Sequence, residues 1–210
     1  MKGHNNFVMG RRPKEHRSLT EWQIHRFAAR VKADTMTSKE ATYARFEAFE
    51  EQLAHCYFLL HEQFMTNPPL AKFWAETAME EMQHFSMLRF CRERKLMTDT
   101  VLDCEMAGHV GELLETVKGM VSDPDLTVDE SFFAALLMES SELDDAYEML
   151  TRGLANDHRI LYDAIRANLR SHHDRFADAA EQFCKDSGLA EAFRGLGRCD
   201  RRVLNGRSVS

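Results

Sequence analysis

Residues 76–85 read ETAMEEMQHF, and within them Glu81 and His84 stand three apart. On a helix that spacing puts both side chains on one face. Such a pair can ligate a metal, or it can be two solvated groups on a charged helix surface. The choice depends on what the flanking segments place opposite it.

The stretch belongs to a predicted helix from about Pro69 to Arg94. Its inner seam is Trp74, Thr77, Glu81, His84, Leu88 and Cys91, so both members of the pair lie among apolar residues. TNPP at 66–69 separates it from a preceding helix through Phe64, opened by the capping-box pattern Thr37-x-x-Glu40. That helix carries the seam Tyr43, Phe46, Glu50, Leu53, Tyr57, Leu60 and Phe64, in which Glu50 interrupts an otherwise apolar row.

Residues 95–126 are less regular; HVGELLETVKGM within them is weakly helical in pattern, SDPD is a turn, and the whole reads as a long connection. Thr127-x-x-Glu130 is a further capping box and starts a third helix, reaching about Gly153. Its seam is Phe132, Leu136, Glu139, Leu143, Ala146 and Leu150, again broken by a glutamate, with Glu142 one turn away. GLAND then leads into a fourth helix at about 157–186. Two stripes fit this helix. One is Ile165, Leu169, His172, Phe176, Ala179 and Phe183; the other is Arg166, Arg170, His173, Ala177, Ala180 and Cys184.

An internal repeat selects the second stripe. Glu50 precedes Glu81 by 31 residues and His84 by 34; Glu139 precedes Arg170 by 31 and His173 by 34. Tyr57 follows Glu50 by seven and Tyr147 follows Glu139 by eight. A duplicated helix hairpin has this signature. Arg170 departs from it, because a guanidinium stays protonated and does not ligate metal. One carboxylate is therefore missing from a symmetric site. Glu142 or Asp174 could replace it, or Arg170 could itself supply charge to the glutamates.

Carboxylates on the seams of three helices need compensation, since burying them without a cation is very costly. In a four-helix bundle, glutamates and Glu-x-x-His pairs on facing helices hold two iron or manganese ions. The chain resembles the ferritin-like superfamily, most closely rubrerythrin-type proteins. The resemblance rests on Glu50 with Tyr57, on ETAMEEMQH with Glu81 and His84, on ESSELDDAY with Glu139, Glu142 and Tyr147, and on HHDRF in the fourth helix. It covers about residues 37–186. It implies an all-α, ferritin-like four-helix bundle built from two hairpins.

By the same resemblance Glu50, Glu81, His84, Glu139, Glu142 and His173 are the expected metal ligands. Tyr57, Tyr147 and Arg170 are the residues expected to act beside them. The implied cofactor is iron, as a dinuclear site or, with Arg170 in place of one carboxylate, a mononuclear one, with manganese as an alternative, and the implied function is an oxidoreductase reacting Fe(II) with oxygen or peroxide. Without a C-x-x-C pair there is no rubredoxin module, so an external electron donor is implied. Two other functions fit the residues. One is a metal-free bundle acting as an interaction module, with Arg166 and Arg170 neutralising Glu81 and Glu139. The other is a ferritin-like hydroxylase of an organic or tRNA substrate.

The remaining features frame these expectations. At 210 residues, with four prolines and ten glycines, the chain suits one helical domain. Residues 1–17 are expected to be a basic tail and 18–36 an accessory helix (about 19–33, SLTEWQIHRFAARVKA) with its linker; 37–186 form the bundle and 187–210 a second basic tail. Residues 1–17 and 194–210 each carry +4 against −7 for the whole chain, leaving −15 between them. The ends read as solvated tails, or more sharply as clamps for an acidic partner or a sister subunit; they permit nucleic acid without pointing to it, and a homo-oligomer is expected. No apolar run reaches the ~20 residues of a membrane span, and the first residues lack the apolar core of a signal peptide. Five scattered cysteines suit a reducing cytoplasm.

Overall fold

The computed structural model describes residues 38–98, 104–141 and 143–206, and every regular element among them is a helix. The expected N-terminal tail and accessory helix lie outside the described residues. In chain order the helices are α1 (Lys39–Gln63), α2 (Pro68–Glu93), α3 (Cys104–Val121), α4 (Val128–Glu139), α5 (Leu143–Thr151), α6 (Leu154–Asp157), α7 (Arg159–Phe183) and α8 (Ser187–Gly206). No helix among the described residues is long and apolar enough to cross a membrane.

α1 and α2 form a closely packed hairpin, as the two matching seams require. The cap of α1 is Ser38, whose hydroxyl accepts from the Ala41 amide at 3.2 Å, one residue later than the expected Thr37. Asn67 caps α2, and Pro68 and Pro69 occupy its first two positions, where their missing N–H groups cost no hydrogen bond. α2 ends in a Schellman turn: the Leu96 amide reaches back to Cys91 O at 2.8 Å and the Lys95 amide to Arg92 O at 3.2 Å. Lys95 takes the left-handed conformation there (φ 57°), a place usually held by glycine.

Two segments differ from expectation. The stretch read as a long connection contains α3, whose Val110, Leu113, Leu114, Val117 and Val121 are buried against α1 and α4. Its apolar residues follow a helical period, but the three glycines at 108, 111 and 119 mask the pattern. The stretch read as a basic tail begins with α8, which buries Leu189, Ala190 and Phe193 against α7 and α4. Phe193 stacks on Phe176 of α7 with ring centroids 4.9 Å apart. Five arginines in residues 194–210 obscured three apolar anchors just before them.

The third helix begins as its capping box predicts, with both reciprocal hydrogen bonds of Thr127 and Glu130 formed. It does not run on to Gly153. It stops at Glu139, and the chain restarts as α5 at Leu143. Ser140 and Ser141 lie at the break. Ser140 turns its hydroxyl to Leu137 O at 3.2 Å, and Ser141 Oγ accepts the Leu143 amide at 3.3 Å. Serines that bond local backbone in this way compete with the helical ladder. Gly153 then passes so close to the Leu96 carbonyl that a Cβ would collide with it.

The core joins all these pieces. Trp74, Tyr57, Phe132, Phe176 and Phe193 are fully buried and form one aromatic cluster across α1, α2, α4, α7 and α8. Phe176 sets the rotation of α7, which brings His172, one turn earlier, inward beside it at 5.0 Å between ring centroids.

Candidate metal centre

Just beyond the aromatic cluster the core turns polar. Glu50 comes from α1, Glu81 and His84 from α2, Glu139 from the last turn of α4, and His172 and His173 from α7; all are buried. Each is held there by apolar neighbours on the same helical stripe: Phe46 and Leu53 for Glu50, Ala78 and Leu88 for Glu81 and His84, and Phe176 for His172.

These side chains form two triads that can each converge on a cation. Glu50, Glu81 and His84 offer ligand atoms within 4.8 Å of one another, and so do Glu81, Glu139 and His172. Glu81 belongs to both. In the first triad, His84 Nδ1 is 3.1 Å from Glu81 Oε2 and 3.7 Å from Glu50 Oε2. In the second, His172 Nε2 is 3.0 Å from Glu139 Oε2 and 3.8 Å from Glu81 Oε1. The 3.0 Å approach is not aligned as a hydrogen bond. Both carboxylate oxygens of Glu50 are buried without any hydrogen-bond partner, which is rare for a group of this polarity.

Tyrosines flank the triads on two sides. The Tyr57 hydroxyl donates to Glu139 Oε1 at 2.9 Å. Burial, reinforced by the neighbouring Glu139 and Glu81 carboxylates, pushes the phenol well above its ordinary range, so it keeps its proton for that bond. Tyr147 stacks on the His84 ring, centroids 4.2 Å apart. The tyrosines that follow Glu50 by seven and Glu139 by eight thus end on different partners. Tyr57 reaches the glutamate of the opposite half, and Tyr147 covers a histidine of the opposite half.

The electrostatics follow from burial. Desolvation pushes the Glu50 carboxyl up to about 8 in spite of His84 beside it. For His84, burial alone would lower the pKa; the Glu81 and Glu50 carboxylates outweigh it and raise it well above the usual imidazole value. His172 behaves alike: burial lowers, while Glu139, Glu80 and Glu81 raise it well above that value. Metal-free, the centre therefore stores protons on Glu50, His84 and His172.

The second half does not follow the repeat. The histidine that meets Glu139 and Glu81 is His172, on the stripe the 34-residue spacing passed over. His173 Nε2 is farther from Glu139 Oε2, at 3.8 Å, and joins neither triad. Both histidines are buried where α7 packs against α8 and meets α2, α4 and α5. The stripe Ile165, Leu169, His172, Phe176 was the available signal for His172. Glu142 lies outside the described residues, and Arg170 is described only as a residue of α7. Asp174 is exposed, so it does not replace the missing carboxylate. Arg166 pairs with Glu148 at 3.2 Å rather than with Glu81 or Glu139.

Two acidic residues not singled out from the sequence also matter here. Glu80 takes His172 Nδ1 and Arg175 on one oxygen. Glu47 is buried in a two-pronged pair with Arg92, at 2.6 and 2.8 Å, which locks α1 to α2 outside the triads.

Compared with protein-family models, curated proteins and solved structures, the chain matches none. Its chemistry therefore rests on its own geometry.

Proposed function

We propose that this chain is a ferritin-like, iron-binding oxidoreductase in which α1, α2, the broken α4–α5 helix and α7 play the parts of the four bundle helices. Glu50, Glu81 and His84 would hold one cation and Glu81, Glu139 and His172 a second, with Glu81 shared between them. The observation that carries this reading is the pair of triads with a common carboxylate, together with a Glu50 whose two oxygens have no hydrogen-bond partner. Carboxylates with imidazoles suit iron or manganese, and the donor set present fits them.

Bound iron would supply electron transfer to oxygen or peroxide. The protein's own contribution is positioning and exclusion of water. The triad side chains are buried, which keeps them dry, and Tyr57 and Phe176 of the aromatic cluster pack beside Glu139 and His172. Tyr57 holds one oxygen of Glu139 by its hydrogen bond, leaving Oε2 to face His172. Tyr147 presses on His84 and limits rotation of that ring. Ligand protons on Glu50, His84 and His172 must leave before a cation can be held.

A second reading is favoured by the charge balance. With Glu50 protonated and both histidines charged, the two histidine charges match the Glu81 and Glu139 carboxylates without metal. The chain would then be a helical interaction module with a buried ion network. Counting metal by mass spectrometry after anaerobic Fe(II) loading separates the two. Two ions per chain, falling to one or none in Glu81→Ala, are expected. No stoichiometric metal in the wild type overturns the oxidoreductase reading and leaves the ion network.

A further inference from the structure

Both ring nitrogens of His172 face carboxylates. Nε2 faces inward, toward Glu139 Oε2 at 3.0 Å and Glu81 Oε1 at 3.8 Å. Nδ1 faces the other way, 3.0 Å from Glu80 Oε2. Glu80 and Glu81 are consecutive on α2, so their side chains leave the helix about 100° apart. One dips into the polar centre and the other passes along the outer edge of the ring. Together they bracket a single imidazole on α7.

The Glu80 oxygen has a second partner. Arg175, three residues after His172 and on the same face of α7, donates its Nη2 to the same Oε2. A guanidinium can only donate, so this oxygen acts as an acceptor. An acceptor 3.0 Å from Nδ1 requires the ring hydrogen to sit on Nδ1. In the neutral ring Nε2 then carries the lone pair, and it is the nitrogen that faces Glu139 and Glu81.

We infer that Glu80 is a positioning residue of the metal centre, accepting the Nδ1 hydrogen of His172 so that Nε2 is the nitrogen presented to the cation, while Arg175 holds Glu80 in place. The inference rests on the metal-centre reading above. Outer partners of this kind fix both tautomer and ring orientation, and their loss typically costs about 10- to 100-fold in metal affinity. Glu80 also replaces something the repeat lacks. The fourth helix brings no carboxylate of its own where the symmetric template has one, and His172 is its contribution to the triads. Holding that ring therefore falls to a residue of α2.

The test uses the full chain, labelled with nitrogen-15 histidine and titrated with Zn(II) as a redox-inert probe. In the wild type, zinc is expected to shift the His172 Nε2 resonance while the Nδ1–H signal persists. A shift on Nδ1 instead overturns the assignment without any variant. Glu80→Ala is expected to lose the protected Nδ1–H signal and bind zinc about 10- to 100-fold more weakly. Glu80→Gln has the same shape and keeps an acceptor oxygen. It is expected to fold, retain the Nδ1–H tautomer and recover most of the affinity. Arg175→Gln should weaken zinc binding less than Glu80→Ala. Wild-type protein that takes up no zinc overturns the metal centre and this role together. Wild-type protein that binds zinc, with Glu80→Ala binding equally well or Glu80→Gln binding as weakly as Glu80→Ala, overturns the role of Glu80 alone.

Discussion

Glu50 concentrates the tension in this molecule at the scale of a single residue. Its carboxyl is buried, has no hydrogen bond, and is pushed up to about 8 by desolvation. Between the usual carboxylate value of 4.5 and about 8, the folded state holds a proton that the unfolded chain has released. Stability of the metal-free protein must therefore fall as pH rises through that window. His84 and His172 act in the same direction. Their folded values are raised, so their contribution is complete below the unfolded imidazole value and is lost as pH rises through the folded one. A cation reverses the trend, because it needs deprotonated ligands and binds more tightly as pH rises. Thermal melts from about pH 5.5 to about pH 8 should show the metal-free Tm falling, and the gap between metal-free and Mn(II)-loaded protein widening. Glu50→Gln should flatten the metal-free profile, gain about 1–3 kcal/mol at the alkaline end, and lose the metal-induced rise. A metal-free Tm that stays level or climbs over this range contradicts the assignment.

The helix ends carry the next level of information. Asn67 with two prolines, and Thr127 with Glu130, start α2 and α4 where their residue types demand. The end of α2 is less favourable, since the Schellman turn places Lys95, a residue with a Cβ, in the left-handed conformation. Lys95→Gly should relieve that strain and stabilise the protein by about 0.5–1 kcal/mol, measured by urea unfolding. A loss of stability would show that the lysine side chain contributes more than its backbone costs. The break between α4 and α5 belongs to this scale too. It ends α4 on Glu139, so the glutamate sits at a helix terminus, and it lets Tyr147 reach His84. An unbroken helix would have carried the two-halves symmetry further than the molecule does.

At the scale of the whole molecule, α8 changes what the domain is. Its apolar residues close the α4–α7 side of the core, and Phe193 stacks directly on the Phe176 ring that fixes the phase of α7. The polar centre thus depends on a helix that, among the described residues, contributes none to it. Phe193→Ala should cost about 3–5 kcal/mol in chemical denaturation, as a buried aromatic does. It should also weaken metal binding through the loosened rotation of His172. If stability were unchanged, α8 would be an appendage and the basic-tail expectation would stand. The charge distribution is consistent with a packed α8: its buried side is apolar, and Arg194 turns outward to pair with Glu181 of α7.

The sequence by itself determined that the chain is helical, where α1, α2 and α4 begin, and that Glu50, Glu81, His84 and Glu139 belong among apolar seam residues. Those conclusions rest on helical period and capping, which are local properties that a few neighbouring residues fix. The tertiary structure alone decided that His172 rather than His173 forms the triad with Glu139 and Glu81, that Glu80 stands behind it, and that α3 and α8 belong to the core. Adjacent positions on α7 differ by about 100° of rotation, and both stripes of that helix are apolar enough to be buried. Only the partner that packs against it, the aromatic cluster of Phe176 with Trp74 and Phe193, selects the rotation. Such a choice depends on contacts between residues far apart in the chain, and no spacing within the sequence encodes it.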